Sequence, residues 1–354
     1  MVTTKAARQF LPTQGVIMSR RILAAGLLLL LGCTAEQGPT EAPDNPSFAL
    51  KGTSNYTTVD LGTLGGSPAF AYALAINSRG QVVGASRAPS GAIHAFLWDR
   101  GVMTDLGTLG GDFSQGLEIN ERGQVVGVGQ TTAGTYHAFL WEDGVMSDLG
   151  TIDDRRSSAL GINARGQIVG GADGIPVIWD KQAIVSLPLP AGGTFCEVQE
   201  INAADRSVGQ CTINGTARAV LWDRDGAVDL GDLGTSPATA TGINASGAVV
   251  GISGVLSGGG GSRPFLWEQG TMTDLSTQSA PPGFIPNAIN AGGQIAGSWG
   301  GGDFIHAGVW QRGATIDISV PGIDNYLVDI SASGQAVGYT VSTNDYHAVL
   351  WTRR

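Results

Sequence analysis

Charge is scarce in this chain. Asp, Glu, Lys and Arg make up 14% of its 354 residues, where a soluble domain averages about 25%, so little of each structural unit meets water. Basic side chains are scarcer still, at 20 against 30 acidic ones. That balance excludes a surface that seeks nucleic acid or anionic head groups, because both repel a net negative protein. No stretch after residue 55 sustains apolar residues at three-and-four spacing, which excludes helical repeats. The apolar run of ten residues from Ile22 is too short for a comfortable membrane span. No G-x-S-x-G word occurs, and the four glycines at 258–261 are not followed by the Lys-Ser/Thr of a phosphate loop, so they read as a connection.

Aromatic residues are few, and their spacing is therefore easy to read. Seven of the eight tryptophans (Trp98, Trp141, Trp179, Trp222, Trp267, Trp310, Trp351) close short apolar runs at intervals of 38 to 45 residues. A period of that length is the mark of a repeat architecture. A second word, I-N-x-x-G, begins at Ile76, Ile119, Ile162, Ile201, Ile243, Ile289 and Ile330, with Ser331 and Asp205 as its two departures. Asn opening a turn, with Gly able to take positive φ three residues later, is hairpin chemistry. Short runs rich in apolar and β-branched residues flank that turn, then HAFLW follows, then a tight loop and a DLG strand. Four strands of about five residues in roughly 40 residues match one blade of a β-propeller.

The two ends of the chain are offset. DLG-type strands occur at Asp60, Asp105, Asp148, Asp229, Asp274 and Asp317, with a weaker copy at Val185, yet the first precedes any HAFLW strand and the chain stops three residues after the last repeat Trp. The expectation is an all-β fold, a seven-bladed β-propeller of four-stranded antiparallel blades over residues 56–354, in which the N-terminal strand closes the last blade. Closure removes the sheet edges that invite aggregation.

Residues 1–33 read as a secretory signal: Arg20 and Arg21 precede the apolar run, and Leu-Leu-Gly stands before Cys33. Residues 1–17 look like an over-called start. The Leu-Leu-Gly-Cys ending resembles the lipobox of bacterial lipoproteins, which implies lipidation at Cys33 and membrane association through that anchor alone. Residues 34–55 are polar, carry three prolines and read as a flexible tether. Removing residues 1–32 takes away four basic side chains and no acidic one, leaving 16 against 30 and a net charge of −14.

Cys196 and Cys211 flank the turn of the fourth repeat. If Ile201 faces Arg206, the two cysteines stand opposite one another and a disulfide is open to them; a G1-type bulge at the turn instead sets Cys196 opposite Thr212. The sequence leaves both registers open. The histidines (His94, His137, His306, His347) each stand four residues before a repeat Trp. Equivalent third-strand residues of adjacent blades lie about 14 Å apart, too far to share zinc, so a hydrogen bond within each blade is expected, with no metal and no cofactor.

Taken together, residues 56–354 resemble the HAF-repeat family of probable extracellular repeat proteins. His94-Ala95-Phe96 and His137-Ala138-Phe139 carry the resemblance, with DLGTLGG at 60–66 and 105–111 and INxxGQVVG at 76–84 and 119–127. It implies an exported repeat protein and assigns no chemistry.

Ligand choice is expected where the repeats differ. The loops after the second and fourth strands vary and emerge on one face; Asp112, Phe113, Asp153, Asp154, Trp299, Asp303, Phe304, Asn325, Tyr326, Asn344, Asp345 and Tyr346 stand there. The favoured function is a non-catalytic, monomeric cell-surface or periplasmic lipoprotein whose propeller binds a glycan, peptide or protein partner. The rival is a secreted carbohydrate-active hydrolase or lyase, which needs two carboxylates about 5 to 9.5 Å apart.

Overall fold

The computed structural model describes residues 49–51, 56–180, 183–254, 262–342 and 345–353. The signal segment, Cys33, most of the tether, the glycines at 258–261 and Asn344 lie outside the described residues. Apart from one 3-10 turn at Leu275–Gln278, every regular element among the described residues is a β-strand. The strands form antiparallel meanders of four: unit I over residues 71–105, unit II over 110–148, unit III over 157–186, unit IV over 193–231, unit V over 238–274 and unit VI over 285–317. Unit VII takes three strands from residues 324–353 and its fourth from Tyr56–Asp60. A single parallel bridge, Ile93 to Phe113, joins units I and II into one hydrogen-bonded sheet.

Tyr56–Asp60 lies antiparallel to Asp345–Arg353, with Thr58 opposite Trp351 and Asp60 opposite Val349. Ala49–Lys51, which the sequence places in the tether, adds a further strand outside it, Leu50 opposite Thr58. The reason is the unpaired edge that every outermost strand presents.

Local chemistry explains the repeated words. In I-N-x-x-G the Gly80 N–H bonds the Asn77 carbonyl at 3.0 Å, and Gly80 has φ +78°, while Asp205 holds the same turn with φ +60°. In W-x-x-G both central residues take positive φ, as in Arg100 (+49°) and Gly101 (+89°), which is the type I′ hairpin turn. The glycine of V-V-G has a different cause. A Cβ on Gly84, Gly127, Gly170, Gly209, Gly251 or Gly338 would collide with a carbonyl oxygen of the inner strand, so only Gly allows the two strands to approach beside the inner-strand bulge.

Each meander packs face to face on the next. Val126 and Ala138 of unit II meet Ile162 and Val177 of unit III; Ala307 and Val309 of unit VI meet Leu327 and Trp351 of unit VII. Leu350 and Val337 of unit VII meet Ala71, Ala73 and Phe96 of unit I. Sheets covered on both sides bury consecutive apolar residues, which is why AFLW needs no alternation.

Two sets of polar bonds repeat around the molecule. The turn asparagines are buried, and each donates Nδ2 to the next unit's turn: Asn77 to the Asn120 carbonyl, Asn120 to Asn163, Asn163 to Asn202, Asn202 to Asn244, Asn244 to Asn290 and Asn290 to Ser331, at 2.9 to 3.3 Å. At the remaining seam the Asp329 carboxylate accepts the Ile76 N–H at 2.9 Å. Farther out, each histidine Nδ1 meets the DLG carboxylate: His94 with Asp105, His137 with Asp148, His306 with Asp317 and His347 with Asp60, at 2.8 to 3.0 Å. Arg218 and Arg263 take the histidine's place against Asp229 and Asp274. The same aspartates cap their own turns, as Asp105 does for the Gly107 N–H.

Candidate functional site

Counting four residues back from the Ile of each turn word gives Tyr72, Gln115, Ser158, Glu197, Thr239, Ile285 and Tyr326, all on the innermost strands. Their chain neighbours, such as Ala71 and Ala73 or Ala238 and Ala240, pack into the seams between units. Strand alternation therefore turns this position toward the axis. Leu74, Leu117, Leu160 and Val328, two residues nearer the turn, share one apolar cluster with Tyr72 although they come from units I, II, III and VII. Side chains from four units meet only at the centre, so these four lie on the axis, and the half-exposed Ser158, Glu197, Ile285 and Tyr326, one layer nearer the variable loops, mark an axial basin on that side.

Aromatic rings gather along one side of the basin. Tyr326 stacks on Tyr339 with centroids 4.7 Å apart and planes 15° apart, and Tyr339 lies 6.1 Å from both Tyr72 and Tyr346. Phe70 meets Tyr72 edge-on at 5.3 Å and Tyr346 at 5.2 Å, while Phe113 meets Tyr136 at 5.7 Å. Offset and edge-on pairs are the arrangements the ring quadrupole favours. Tyr72 is buried; Phe70, Tyr326, Tyr339 and Tyr346 are half-buried.

The remainder of the basin wall is polar. Gln115 donates Nε2 to the Tyr72 hydroxyl at 3.0 Å. Gln210 donates to Glu197 at 2.9 Å and accepts from the Thr239 hydroxyl at 2.6 Å. Burial pushes the Glu197 carboxyl above the usual range, although the Gln210 bond opposes it. Gln115 Oε1 and Gln199 Nε2 are buried with no hydrogen-bond partner among the described residues, and an unmet buried polar atom costs about 1 to 3 kcal/mol. The arrangement can stack a flat face and hydrogen-bond its edges.

The residues expected from sequence divide between this basin and elsewhere. Tyr326 and Tyr346 are brought together through Tyr339. Phe113 is half-buried on Tyr136, with exposed Asp112 beside it. Asp153 and Asp154 are exposed on the loop into unit III, where Asp153 lies 3.9 Å from Arg155 and Asp154 has φ +55°. Asp303 and Phe304 are exposed at a hairpin tip, and Asp345 is exposed at the start of the last strand. Trp299 does not stand free as a platform: it stacks on His306 at 5.2 Å and packs near Phe284 at 6.2 Å, because it lies directly opposite His306 in the sheet. Asn325 is 1% exposed. Its amide is spent on the Val320 N–H and on the carbonyls of Val320 and Ile323, so it clips a loop and presents nothing to a ligand. Among the described residues no group of three or more His, Cys, Asp or Glu side chains is placed to hold a metal ion.

Cys196 and Cys211 are opposite one another and bonded, with Cα atoms 4.0 Å apart. Neither single register expected from sequence produces this. Ile201 faces Ser207, the shifted register, and a bulge between Val198 and Glu200 shifts it back.

Sequence reading missed Phe70, Tyr72, Tyr339, Gln115, Glu197 and Gln210. The available signal was tyrosine placement: four of only six tyrosines, Tyr72, Tyr326, Tyr339 and Tyr346, meet in one cluster.

No protein-family model matches the chain, and no relative by sequence was found among curated proteins. Solved structures are similar in fold. Streptogramin B lyase is 12% identical over 84% of this chain and 98% of its own, with a TM-score of 0.59. The β-propeller domain of the Trilobed protease from Pyrococcus furiosus, described as having an open velcro topology, is 10% identical over 81% and 96%, also at 0.59. The acylaminoacyl peptidase of Pyrococcus horikoshii is 9% identical over 80% and 51%, at 0.54. The scaffold is a β-propeller. At these identities the likeness concerns the fold alone.

Proposed function

We propose that this chain is a closed seven-bladed propeller, exported and held at the cell envelope by lipid on Cys33, that binds an extracellular ligand in its axial basin without turning it over. The observation that carries the binding reading is the aromatic cluster of Phe70, Tyr72, Tyr326, Tyr339 and Tyr346 adjoining, through the Gln115–Tyr72 bond, the polar axial side chains Gln115, Glu197 and Thr239. Pairing of the first full strand with the last supports closure into a monomeric ring. A buried disulfide supports an oxidising compartment, and the basic n-region and Leu-Leu-Gly-Cys word support export with an anchor. The resemblance to HAF-repeat proteins fits the same picture, since the repeated His-Ala-Phe is accounted for by the in-sheet bond of His to Asp.

Two experiments test this reading. Metabolic labelling with a radiolabelled fatty acid is expected to mark the wild-type chain and not Cys33→Ser; equal labelling of both ends the anchor. Incubation with a panel of soluble polysaccharides is expected to release no new reducing ends or unsaturated products. Turnover lost in Glu197→Gln would replace the binding reading by a hydrolase or lyase.

A further inference from the structure

Resting on the reading that the axial basin binds a ligand, we propose that the ligand is a neutral carbohydrate, with one pyranose ring laid against the Tyr326–Tyr339 wall and a hydroxyl of that ring donated to Gln115 Oε1.

Three observations select this class. First, Tyr326 and Tyr339 stack on each other yet are only half-buried, so part of their ring surface stays accessible, and its negative quadrupole attracts the weakly positive C–H face of a sugar ring. Second, Gln115 is 0% exposed, its Nε2 is already committed to the Tyr72 hydroxyl, and its Oε1 has no partner among the described residues. The unmet group at the aromatic wall is therefore an acceptor, and it calls for a donor arriving edge-on beside a stacked ring. A hydroxyl supplies that donor without bringing a charge. Third, the ring of axial side chains contains no Lys or Arg: Tyr72, Gln115, Ser158, Glu197, Thr239, Ile285 and Tyr326 are neutral or acidic. A uronate or phosphate held at that ring would be uncompensated, at a high desolvation cost; the Arg87 guanidinium lies instead over Phe70, 5.8 Å from its ring.

Isothermal titration of the full-length chain with cellohexaose, xylohexaose, mannohexaose, chitohexaose, laminarihexaose and maltohexaose is the test, run beside hexagalacturonate and a set of uncharged aromatic hexapeptides. At least one neutral hexasaccharide is expected to bind, and hexagalacturonate to bind more weakly than it does. Tyr326→Ala and Gln115→Met are each expected to weaken binding by about tenfold or more. Because Gln115→Met also strips the Tyr72 hydroxyl of its donor, the folding control is Gln115→Met combined with Tyr72→Phe, which removes both polar groups while keeping volume and ring; its unfolding midpoint is expected to stay near wild type while affinity falls. Saccharide binding untouched by both substitutions overturns the proposed site. Binding of the hexapeptides alone, lost in Tyr326→Ala, overturns the carbohydrate class and leaves the binding reading standing. If no probe binds, the carbohydrate inference falls, and the binding reading falls with it if Tyr326→Ala also leaves the chain's cell-envelope interactions unchanged in cross-linking.

Discussion

Asn163 shows how much a single buried side chain does in this fold. Its Oδ1 accepts the N–H groups of Arg165 and Gln167, closing its own turn, while its Nδ2 reaches the Asn202 carbonyl of the next unit. Asn163→Ala leaves those groups buried and unmet, so a loss of about 1 to 3 kcal/mol is expected in urea unfolding. The converse substitution sits at the one seam where Ser331 replaces the asparagine. Ser331→Asn is expected to raise the unfolding midpoint by supplying a donor toward the Asn77 carbonyl, and an unchanged or lowered midpoint would show that the Asp329 bond already fills that space. His347 gives a second prediction at this scale. The hydrogen bond that its ring donates to the Asp60 carboxylate raises its pKa, against the opposing effect of burial. A histidine whose folded pKa lies above its unfolded value stabilises fully below the unfolded value, about 6.5, and loses that contribution as pH rises through the folded one. His347→Gln should therefore lower the thermal midpoint more at about pH 5.5 than at about pH 8.5; an equal drop at both would assign the residue to packing alone.

At the scale of the element, unit IV is the most informative, because its inner hairpin departs from the repeat in three ways. Asp205 replaces the turn glycine, Cys196 and Cys211 occupy seam positions, and Glu197 faces the axis. The cysteines pair because two irregularities in one hairpin cancel: the turn moves the register one way and the bulge at Gln199 moves it back. Neither could be read from the residues, since each is a local choice whose sum only the folded hairpin reveals. The bond closes a loop of 15 residues, for which a stabilisation of about 2 to 4 kcal/mol is expected. Guanidinium unfolding with and without reductant measures it, with the Cys196→Ala, Cys211→Ala double variant as control. A midpoint insensitive to reductant in the wild type would mean that the bond adds nothing.

At the scale of the molecule, strength depends on joining the two ends. Tyr56–Asp60 covers the edge of Asp345–Arg353, and His347 clasps Asp60 across that join. Deleting residues 1–60 exposes the apolar strand HAVLW along its hydrogen-bonding edge. A shift of the size-exclusion peak toward larger oligomers or aggregate is expected; a deletion variant with the elution volume and stability of the intact chain would show that closure is dispensable. The offset of the DLG and HAFLW words makes this join legible in the sequence, because both words are tied to short-range chemistry. Much of the candidate site was not legible. Tyr326 and Tyr346 stand out in the sequence as loop residues but lie within the strands Asp324–Ile330 and Asp345–Arg353; Tyr72, Tyr339 and Gln115 sit inside strands whose neighbours read as ordinary core, and Trp299, the most conspicuous aromatic, is spent on packing against His306.

The amino-acid sequence by itself determined the period, the strand and turn chemistry, the bond of each histidine within its own sheet and the order in which the ends must meet, because each rests on contacts between residues close in the chain or repeated at fixed intervals. Only the tertiary structure decided which side chains share the axis, that the cysteines face one another and that four tyrosines form one wall. Those outcomes depend on how strands from different repeats are rotated and shifted against each other, and a shift of one residue moves a side chain from a seam to the centre.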